Sequence, residues 1–238
     1  INSALLPSLG GFINGEWVMA DNAQTLSVTN PVDHSELAQV AAMGQAETER
    51  AVAAAEAAME RPASLGQRRD WLNAIADALS NHRDEIGRIL CLEHGKPLAE
   101  AQGEADYAAG FFRYAANNID ALEPRHLQEQ PRDCRWTVHY RPAGVVGLIT
   151  PWNFPIGMIA KKLSAAIAAD CPSVIKPSSK TPLTMIALFA LLEREVKLPA
   201  GKVNLVMGSA GPITDALFNA PSVRVISFTG STEVGREL

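Results

Sequence analysis

The sequence has little of what marks membrane, secreted and metal-binding proteins. It contains only three cysteines, and these lie far apart, in none of the paired spacings of a zinc site or a disulfide framework. No run of about 18 apolar residues occurs, and residues 1–15 lack the positive stretch and apolar core of a secretory signal. We therefore expect no membrane association and a reducing, cytoplasmic setting, with structural or incidental roles for Cys91, Cys134 and Cys171.

Positive charge and clustered histidines are scarce too. The net charge is -5, and Lys and Arg form no cluster that could serve as a nucleic-acid surface. The five histidines are not at metal-ligand spacing, so we expect no metal site and ordinary surface or hydrogen-bonded roles for His34, His82, His94, His126 and His139. The carboxylates of the N-terminal helices are interpreted as solvated faces rather than acid/base pairs.

What remains is an ordinary globular composition, with 47% hydrophobic and 20% charged residues. Residue 1 is Ile rather than Met, and residues 233–238 have the pattern of the first turns of a helix. We therefore expect the chain to be one part of a longer protein.

The N-terminal part predicts a hairpin followed by helices. Asn14-Gly15 between short apolar segments is the residue pair preferred by a two-residue type I′ hairpin turn, and Asn30-Pro31 marks a further turn. Apolar residues at helical spacing predict helices over residues 48–59, 71–79, 86–94 and 98–118, with Gly95 ending the third. Small residues on the last helix predict that it packs closely against a sheet.

The second half predicts an α/β fold. Apolar segments at residues 144–150, 173–176, 203–207 and 223–228 alternate with helical stretches at 156–169, 183–196 and 213–218. We predict a Rossmann-like open parallel sheet with flanking helices, preceded by the N-terminal hairpin and helices. Residues 134–140 alternate and are interpreted as a strand that projects from the domain.

The carboxyl ends of the four predicted strands are rich in small and polar residues. In an open parallel sheet these ends bind the ligand. They consist of Thr150-Pro151-Trp152-Asn153, Lys176-Pro177-Ser178-Ser179, Met207-Gly208-Ser209-Ala210-Gly211 and Phe228-Thr229-Gly230-Ser231-Thr232.

These segments, in their order and spacing, resemble the aldehyde dehydrogenase superfamily, and its succinate-semialdehyde dehydrogenase branch in particular. The resemblance is carried by residues 151–155 (PWNFP), 174–177 (VIKP) and 228–235 (FTGSTEVG), with support from Asn14-Gly15-Glu16-Trp17 and Gly95-Lys96-Pro97. It covers essentially the whole chain. It implies that residues 1–238 are the NAD(P)-binding domain, incomplete at its C-terminal end and without the catalytic domain, and that about residues 125–142 contribute to a homodimer or homotetramer.

The resemblance also implies an activity, the oxidation of an aldehyde to a carboxylic acid through a thiohemiacetal and a thioester. Asn153 would belong to the oxyanion hole, because an amide donor stabilises charge on the carbonyl oxygen; the alternative is an Asn that caps the following helix. The family's nucleophilic Cys and general-base Glu would lie beyond residue 238, so this fragment alone is expected to be inactive.

The same resemblance implies the cofactor residues. NADP or NAD would bind Thr150, Pro151, Trp152, Lys176, Ser178, Ser179, Gly208, Gly230, Ser231 and Val234. NAD-preferring relatives often carry Glu at the position of Ser179, which Lys180 follows. The absence of that carboxylate favours NADP. The alternatives are a solvated lysine at 176, a core aromatic at 152, a simple turn at 208 and a plain helix cap at 231.

Two departures bear on the substrate and on the fold. Lys161 stands where the semialdehyde enzymes typically carry an Arg that contacts the substrate carboxylate, which puts that specificity in doubt. Asp170 stands where a Gly commonly ends a helix, so we expect local strain. Two other functions stay open: a catalytically incompetent dinucleotide-binding or assembly module, and a phosphate-binding α/β protein of another class.

Overall fold

The computed structural model describes residues 1–237 and confirms the N-terminal hairpin. Strands β1 (Gly11–Ile13) and β2 (Glu16–Val18) pair antiparallel. The turn residues Asn14 and Gly15 have φ values of 53° and 88°, as a type I′ turn requires.

A second hairpin was not predicted from the sequence. Strands β3 (Thr25–Thr29) and β4 (Glu36–Ala41) pair antiparallel on either side of the Asn30-Pro31 turn. Within β3, Leu26 and Val28 alternate with exposed polar residues, but this two-residue period spans only two apolar positions.

Four helices follow, close to the predicted positions. They are α1 (Gln45–Ala58), α2 (Leu65–Asn81), α3 (Arg83–His94) and α4 (Leu98–Asn118), with a 3-10 turn at Ile119–Leu122. Ser64 caps α2, and Gly95, at φ 84°, ends α3. The prediction that the last helix packs on a sheet is wrong, because α4 contacts α2, α3 and the later helix α5 (Gly157–Ala168). Its small residues allow close helix-helix packing instead.

The strand predicted over residues 134–140 is shorter than expected. The structure forms a two-residue strand β6 (Thr137–Val138) that pairs with β5 (Arg125–His126), and these four residues form a separate two-stranded sheet. Trp136 and Tyr140 beside β6 are about half exposed.

The second half confirms the predicted α/β alternation. Its elements are β7 (Val145–Ile149), α5, β8 (Ser173–Lys176), α6 (Leu183–Leu191) continuing as a π-helix (Leu192–Val196), β9 (Val203–Leu205), α7 (Ala210–Asn219), β10 (Val223–Phe228) and α8 (Thr232–Glu237). The main sheet has the order β10-β7-β8-β9-β1-β2. The four predicted strands are parallel, and the N-terminal hairpin extends the sheet antiparallel at β9.

Helices cover both faces of this sheet. Val146 and Leu148 of β7 point into a large core formed with α2, α4, α5 and α6, whereas Val145 and Ile149 point into a smaller core formed with α1 and α7. This alternation follows from the two-residue period of a strand. The two cores cover the faces of the sheet, and its carboxyl edge is left for the loops after each strand. In residues 1–237 no helix is long and apolar enough to cross a membrane.

Candidate active site at the carboxyl edge of the sheet

Hydrogen bonds tie the loops after the parallel strands to one another. The Thr150 amide donates to the Lys176 carbonyl at 3.2 Å, and the Thr229 amide donates to the Ile149 carbonyl at 3.2 Å. The Ser179 hydroxyl donates to the Gly208 carbonyl at 3.1 Å. The sequence-predicted residues after β7, β8, β9 and β10 therefore lie along one edge, which we call the carboxyl edge (residues 150–153, 176–179, 206–209 and 228–231).

Lys176 is the buried cation of this edge. Its residue is 6% exposed, and burial lowers the pKa of its ammonium group below the usual range. Nζ donates to the Pro177 carbonyl at 3.1 Å, and no carboxylate in residues 1–237 pairs with it. The alternative of a solvated lysine is therefore wrong. A buried ammonium with few protein acceptors is suited to ligand hydroxyl or phosphate oxygens.

The loop after β7 presents a hydroxyl and an aromatic ring. Thr150 is buried, and its Oγ1 has no hydrogen-bond partner among the described residues. Pro151 is half-buried, and Trp152 is 49% exposed, so the interpretation as a core aromatic is wrong. The Trp152 ring lies 5.8 Å from the His94 ring, and Lys180 Nζ lies 5.7 Å from its centroid. Buried hydroxyls normally have a partner, so Thr150 Oγ1 has unused capacity for a ligand.

The serines after β8 have different partners. The Ser178 hydroxyl accepts a hydrogen bond from the Lys180 amide at 3.2 Å, which shapes the turn. The Ser179 hydroxyl, as above, bridges to Gly208, and its residue is exposed. No carboxylate occupies position 179, so this part of the edge carries no negative side chain of its own.

Gly208 and the residues before α8 also have structural roles. A Cβ at Gly208 would lie 2.0 Å from the Met43 carbonyl oxygen, so close backbone approach requires glycine there. A Cβ at Gly230 would similarly meet the Phe228 ring at 2.2 Å. The Ser231 hydroxyl accepts from the Val234 amide at 3.3 Å and so caps α8, which is exposed throughout, Val234 included.

Asn153 presents a side-chain amide that the protein does not use. The alternative, an Asn that caps α5, is wrong, because the cap position is Ile156 and no side chain caps it locally. The residue is exposed, and in residues 1–237 no hydrogen bond involves its side chain. Its backbone carbonyl lies 3.4 Å from Lys96 Nζ. The amide is therefore free to donate to a ligand beside the carboxyl edge.

The interpretation of the N-terminal carboxylates as solvated is wrong at three positions. Glu47, Glu93 and Glu104 are each less than 5% exposed, and each accepts hydrogen bonds from backbone N–H groups at the start of a helix, which offset the cost of burial. Complete burial raises the pKa of Glu93 to about 7. The missed signal is positional: Glu104 falls three residues after buried Ala101, on the apolar face of α4.

His94 is also not an ordinary surface histidine. Both ring nitrogens are buried, and neither has a partner of normal hydrogen-bond geometry among the described residues. Burial, with the nearby Lys96 ammonium, lowers the pKa of the ring. No group of metal-ligating side chains is found in the described part of the chain.

Lys161 lies between two grooves on the surface of α5. One, of about 710 Å³, separates α4 from α5 and includes Tyr107 and Tyr114. The other, of about 590 Å³, lies between α5 and β10 and includes Lys162 and Ser227, which are hydrogen-bonded at 2.7 Å. The exposed Lys161 ammonium is thus available to an anion that enters either groove.

Asp170, after the end of α5, does more than tolerate a left-handed conformation. Its φ is 55°, as expected for the position of a C-terminal Gly. Its carboxylate is buried, pairs with Lys202 at 2.7 Å and accepts from the Ala63 amide at 2.8 Å. The strained residue therefore belongs to a buried ion pair.

Comparison with known proteins identifies the family. The aldehyde dehydrogenase family profile matches residues 17–238. The chain belongs to the aldehyde dehydrogenase family. It is 41% identical to the succinate-semialdehyde dehydrogenase [NADP(+)] GabD of Escherichia coli, over all of this chain and 50% of that protein. It is 42% identical to a glutarate-semialdehyde dehydrogenase of Pseudomonas putida, over 95% of this chain and 48% of that protein.

Two solved structures have the same fold as this chain. An oxidoreductase from Marinobacter aquaeolei superposes with a TM-score of 0.96 at 55% identity, over all of this chain and 50% of that one. A Staphylococcus aureus betaine aldehyde dehydrogenase in complex with NAD+ gives a TM-score of 0.92 at 33% identity, over 97% of this chain and 46% of that one. The chain spans about half the length of the curated relatives it matches.

Proposed function

We propose that the full-length protein is an NAD(P)-dependent aldehyde dehydrogenase that oxidises an acid-bearing aldehyde, such as succinate semialdehyde, to the carboxylic acid. The observation that carries the proposal is that one edge of the sheet presents the buried ammonium of Lys176, a Thr150 hydroxyl and, in the same loop, an Asn153 amide, with neither of the latter two groups hydrogen-bonded within residues 1–237. In this proposal residues 1–238 form the NAD(P)-binding domain, and the nucleophilic Cys and general-base Glu belong to the rest of the protein.

The residues of the carboxyl edge fit a nicotinamide dinucleotide. Lys176 offers N–H donors to ribose or phosphate oxygens, Thr150 offers a hydroxyl, and exposed Trp152 offers an apolar surface for the nicotinamide side. Ser178, Gly208, Gly230, Ser231 and Val234 would line the remaining path, with Pro151 fixing the loop. When bound, the nicotinamide supplies a hydride acceptor. We propose NADP as the favoured cofactor, because no carboxylate at position 179 repels a 2′-phosphate.

Asn153 acts on the substrate oxygen in this proposal. As a nucleophile adds to the aldehyde, negative charge develops on the carbonyl oxygen. The Asn153 amide donates a hydrogen bond to that oxygen, and because it makes no competing bond it needs no reorganisation to do so.

The acid group of the substrate is assigned to Lys161. Three of the similar proteins are named for succinate semialdehyde, glutarate semialdehyde and 3-sulfolactaldehyde, which all carry an acidic group. An exposed ammonium at the groove between α4 and α5 attracts such a group, without the bidentate geometry of Arg.

Residues 125–142 are proposed as the segment for subunit contacts in a homodimer or homotetramer. The support is the isolated β5–β6 sheet and the exposed rings of Trp136 and Tyr140, which a monomer leaves in water.

The test is an activity assay of the full-length protein and its Asn153→Ala variant, with succinate semialdehyde and butanal as substrates and NADP+ or NAD+ as oxidant. We expect kcat to fall about 10²- to 10³-fold in the variant, the loss typical of one oxyanion-hole donor, with the Kd of NADP+ unchanged. The wild type should prefer succinate semialdehyde. An active wild type whose Asn153→Ala variant keeps its kcat would refute the role of Asn153.

A further inference from the structure

The structure assigns a positioning role to the buried ion pair Lys96–Glu104. We propose that this pair fixes the backbone of residues 153–157 so that the Asn153 amide points at the substrate oxygen. The inference rests on the proposed function of Asn153 and adds two residues to it.

Glu104 holds the end of the loop where α5 begins. Its Oε1 accepts hydrogen bonds from the Ile156 and Gly157 amides, each at 3.0 Å. These N–H groups have no intrahelical partner, and a carboxylate is favoured at the positive end of a helix dipole. Gly157 leaves room at this contact, because a Cβ there would lie 3.2 Å from the Tyr107 ring of α4, closer than most Cβ contacts.

Lys96 holds the other side of the same loop. Its Nζ pairs with the second oxygen of Glu104, lies 3.4 Å from the Asn153 carbonyl and lies 4.5 Å from the centroid of the Phe154 ring. The side chains of Lys96 and Glu104 are 9% and 2% exposed, so the pair is little screened by water. The loop is therefore held at Asn153, Phe154, Ile156 and Gly157 by two side chains from one buried pair.

This arrangement separates the two functions of Asn153. Its backbone carbonyl is engaged by Lys96, whereas its side-chain amide is left free. A donor whose backbone is fixed loses little entropy when it meets the developing oxyanion. Lys96 and Glu104 touch no reacting atom, so they are positioning residues that act through Asn153.

A second buried ion pair provides a matched control. Among the ion pairs of residues 1–237, only this pair and Lys96–Glu104 have both side chains under 10% exposed. Lys202 and Asp170 are 7% and 6% exposed, and this pair lies after the opposite end of α5, away from the carboxyl edge. Lys202→Met therefore removes a comparable buried pair without touching the loop at Asn153.

The experiment measures kcat and KM of the full-length enzyme for wild type, Lys96→Met, Asn153→Ala, the double variant Lys96→Met/Asn153→Ala, and Lys202→Met. Each rate is divided by the folded fraction from thermal unfolding. We expect Lys96→Met to lower kcat about tenfold, as a small misplacement of a catalytic group does, with little change in KM. The same substitution should have no further effect on kcat when Asn153 is already Ala, and Lys202→Met should keep the wild-type kcat.

Lys96→Met leaves Glu104 buried without its cation, so Lys96→Met/Glu104→Gln serves as a charge-balanced second variant, with the same kcat loss expected. A wild-type kcat in Lys96→Met or in that variant would overturn the proposal. So would multiplying effects of Lys96→Met and Asn153→Ala, or failure of both Lys96 variants to fold, which would assign the pair to stability alone. An unchanged kcat in Asn153→Ala would instead refute the proposed role of Asn153, and the positioning role with it, whereas a full-length wild type that oxidises no aldehyde would refute the proposed function itself.

Discussion

The proposed preference for NADP over NAD depends on the absence of a negative charge at residue 179. Ser179 is exposed at the carboxyl edge, its hydroxyl bonds to the Gly208 carbonyl, and Lys180 follows it. A carboxylate at this position would repel the 2′-phosphate of NADP, whereas it could accept hydrogen bonds from the ribose hydroxyls of NAD.

We predict that Ser179→Glu reverses or weakens the preference for NADP+. Two like charges about 4 Å apart repel by about 1 kcal/mol in bulk water and about 4 kcal/mol near a protein surface, so the ratio of kcat/KM for NADP+ over NAD+ should fall by at least about fivefold. The control is Ser179→Gln. Glutamine is similar in size to glutamate and also removes the hydrogen bond from the Ser179 hydroxyl to the Gly208 carbonyl, but it adds no charge. Equal ratios in the two variants would show that charge at this position does not select the cofactor.

Residues that belong to a local motif could be predicted, and residues that act across the chain could not. Asn153 and Lys176 are predicted because each stands in a short segment at a strand end, and their site roles stay predictions. Glu104 was missed because its partners, the Ile156 and Gly157 amides, lie more than 50 residues away. The available signal is a carboxylate on the apolar face of a helix, but such a residue does not show which amides it accepts from.

At the scale of the elements, the long amphipathic helices and the parallel strands follow from their periodicity. Helix α4 was predicted with its observed bounds, Leu98–Asn118, and β8 and β10 likewise. The β3–β4 hairpin was missed because the alternation of β3 spans only two apolar residues and β4 does not alternate regularly. The predicted packing partner of α4, a sheet, was wrong because small residues permit close approach to a helix or to a sheet alike.

Asp170, after α5, combines a strained left-handed backbone with a stabilising ion pair to Lys202. Asp170→Gly should relieve left-handed strain worth about 1 kcal/mol, but it leaves Lys202 buried without a partner, which costs about 3–5 kcal/mol. We therefore predict a net loss of about 2–4 kcal/mol in the free energy of unfolding, measured by urea denaturation. Asp170→Asn, which keeps an acceptor for the Ala63 amide, should lose less. A glycine variant as stable as the wild type would contradict this, because it would show that losing the ion pair costs no more than the strain relief of about 1 kcal/mol.

Buried Glu93, which caps α6 from α3, gives a pH-dependent stability. Its pKa is raised to about 7 in the folded protein because it is desolvated, against an ordinary value of 4.5. The folded state therefore holds a proton that the unfolded state has lost between these values, and the contribution of Glu93 to stability is lost as pH rises through 7.

We predict that the difference in unfolding free energy between wild type and Glu93→Gln shrinks by about 3 kcal/mol from pH 4.5 to 8, because Gln does not titrate. Denaturant unfolding of both proteins across this range measures it. A difference that is constant with pH would mean that Glu93 is ionised throughout.

At the scale of the whole molecule, the six-stranded sheet brings four separate loops to one edge. The sequence predicted the four parallel strands and their order along the chain, but the antiparallel addition of the N-terminal hairpin to β9 depends on pairing between residues far apart in sequence. The family membership and the fold agree with this architecture. The central claim is that the carboxyl edge binds a nicotinamide dinucleotide through Lys176.

Calorimetric titration of NADP+ into the full-length protein tests that claim most directly, with Lys176→Met as the variant and Lys202→Met as a control for the loss of a buried lysine. The account predicts that the wild type and Lys202→Met bind NADP+ equally, and that Lys176→Met binds about 10- to 100-fold more weakly, the loss expected when a charged hydrogen-bond donor is removed. Equal affinity in Lys176→Met, or no binding of NADP+ or NAD+ by the wild type, would contradict it.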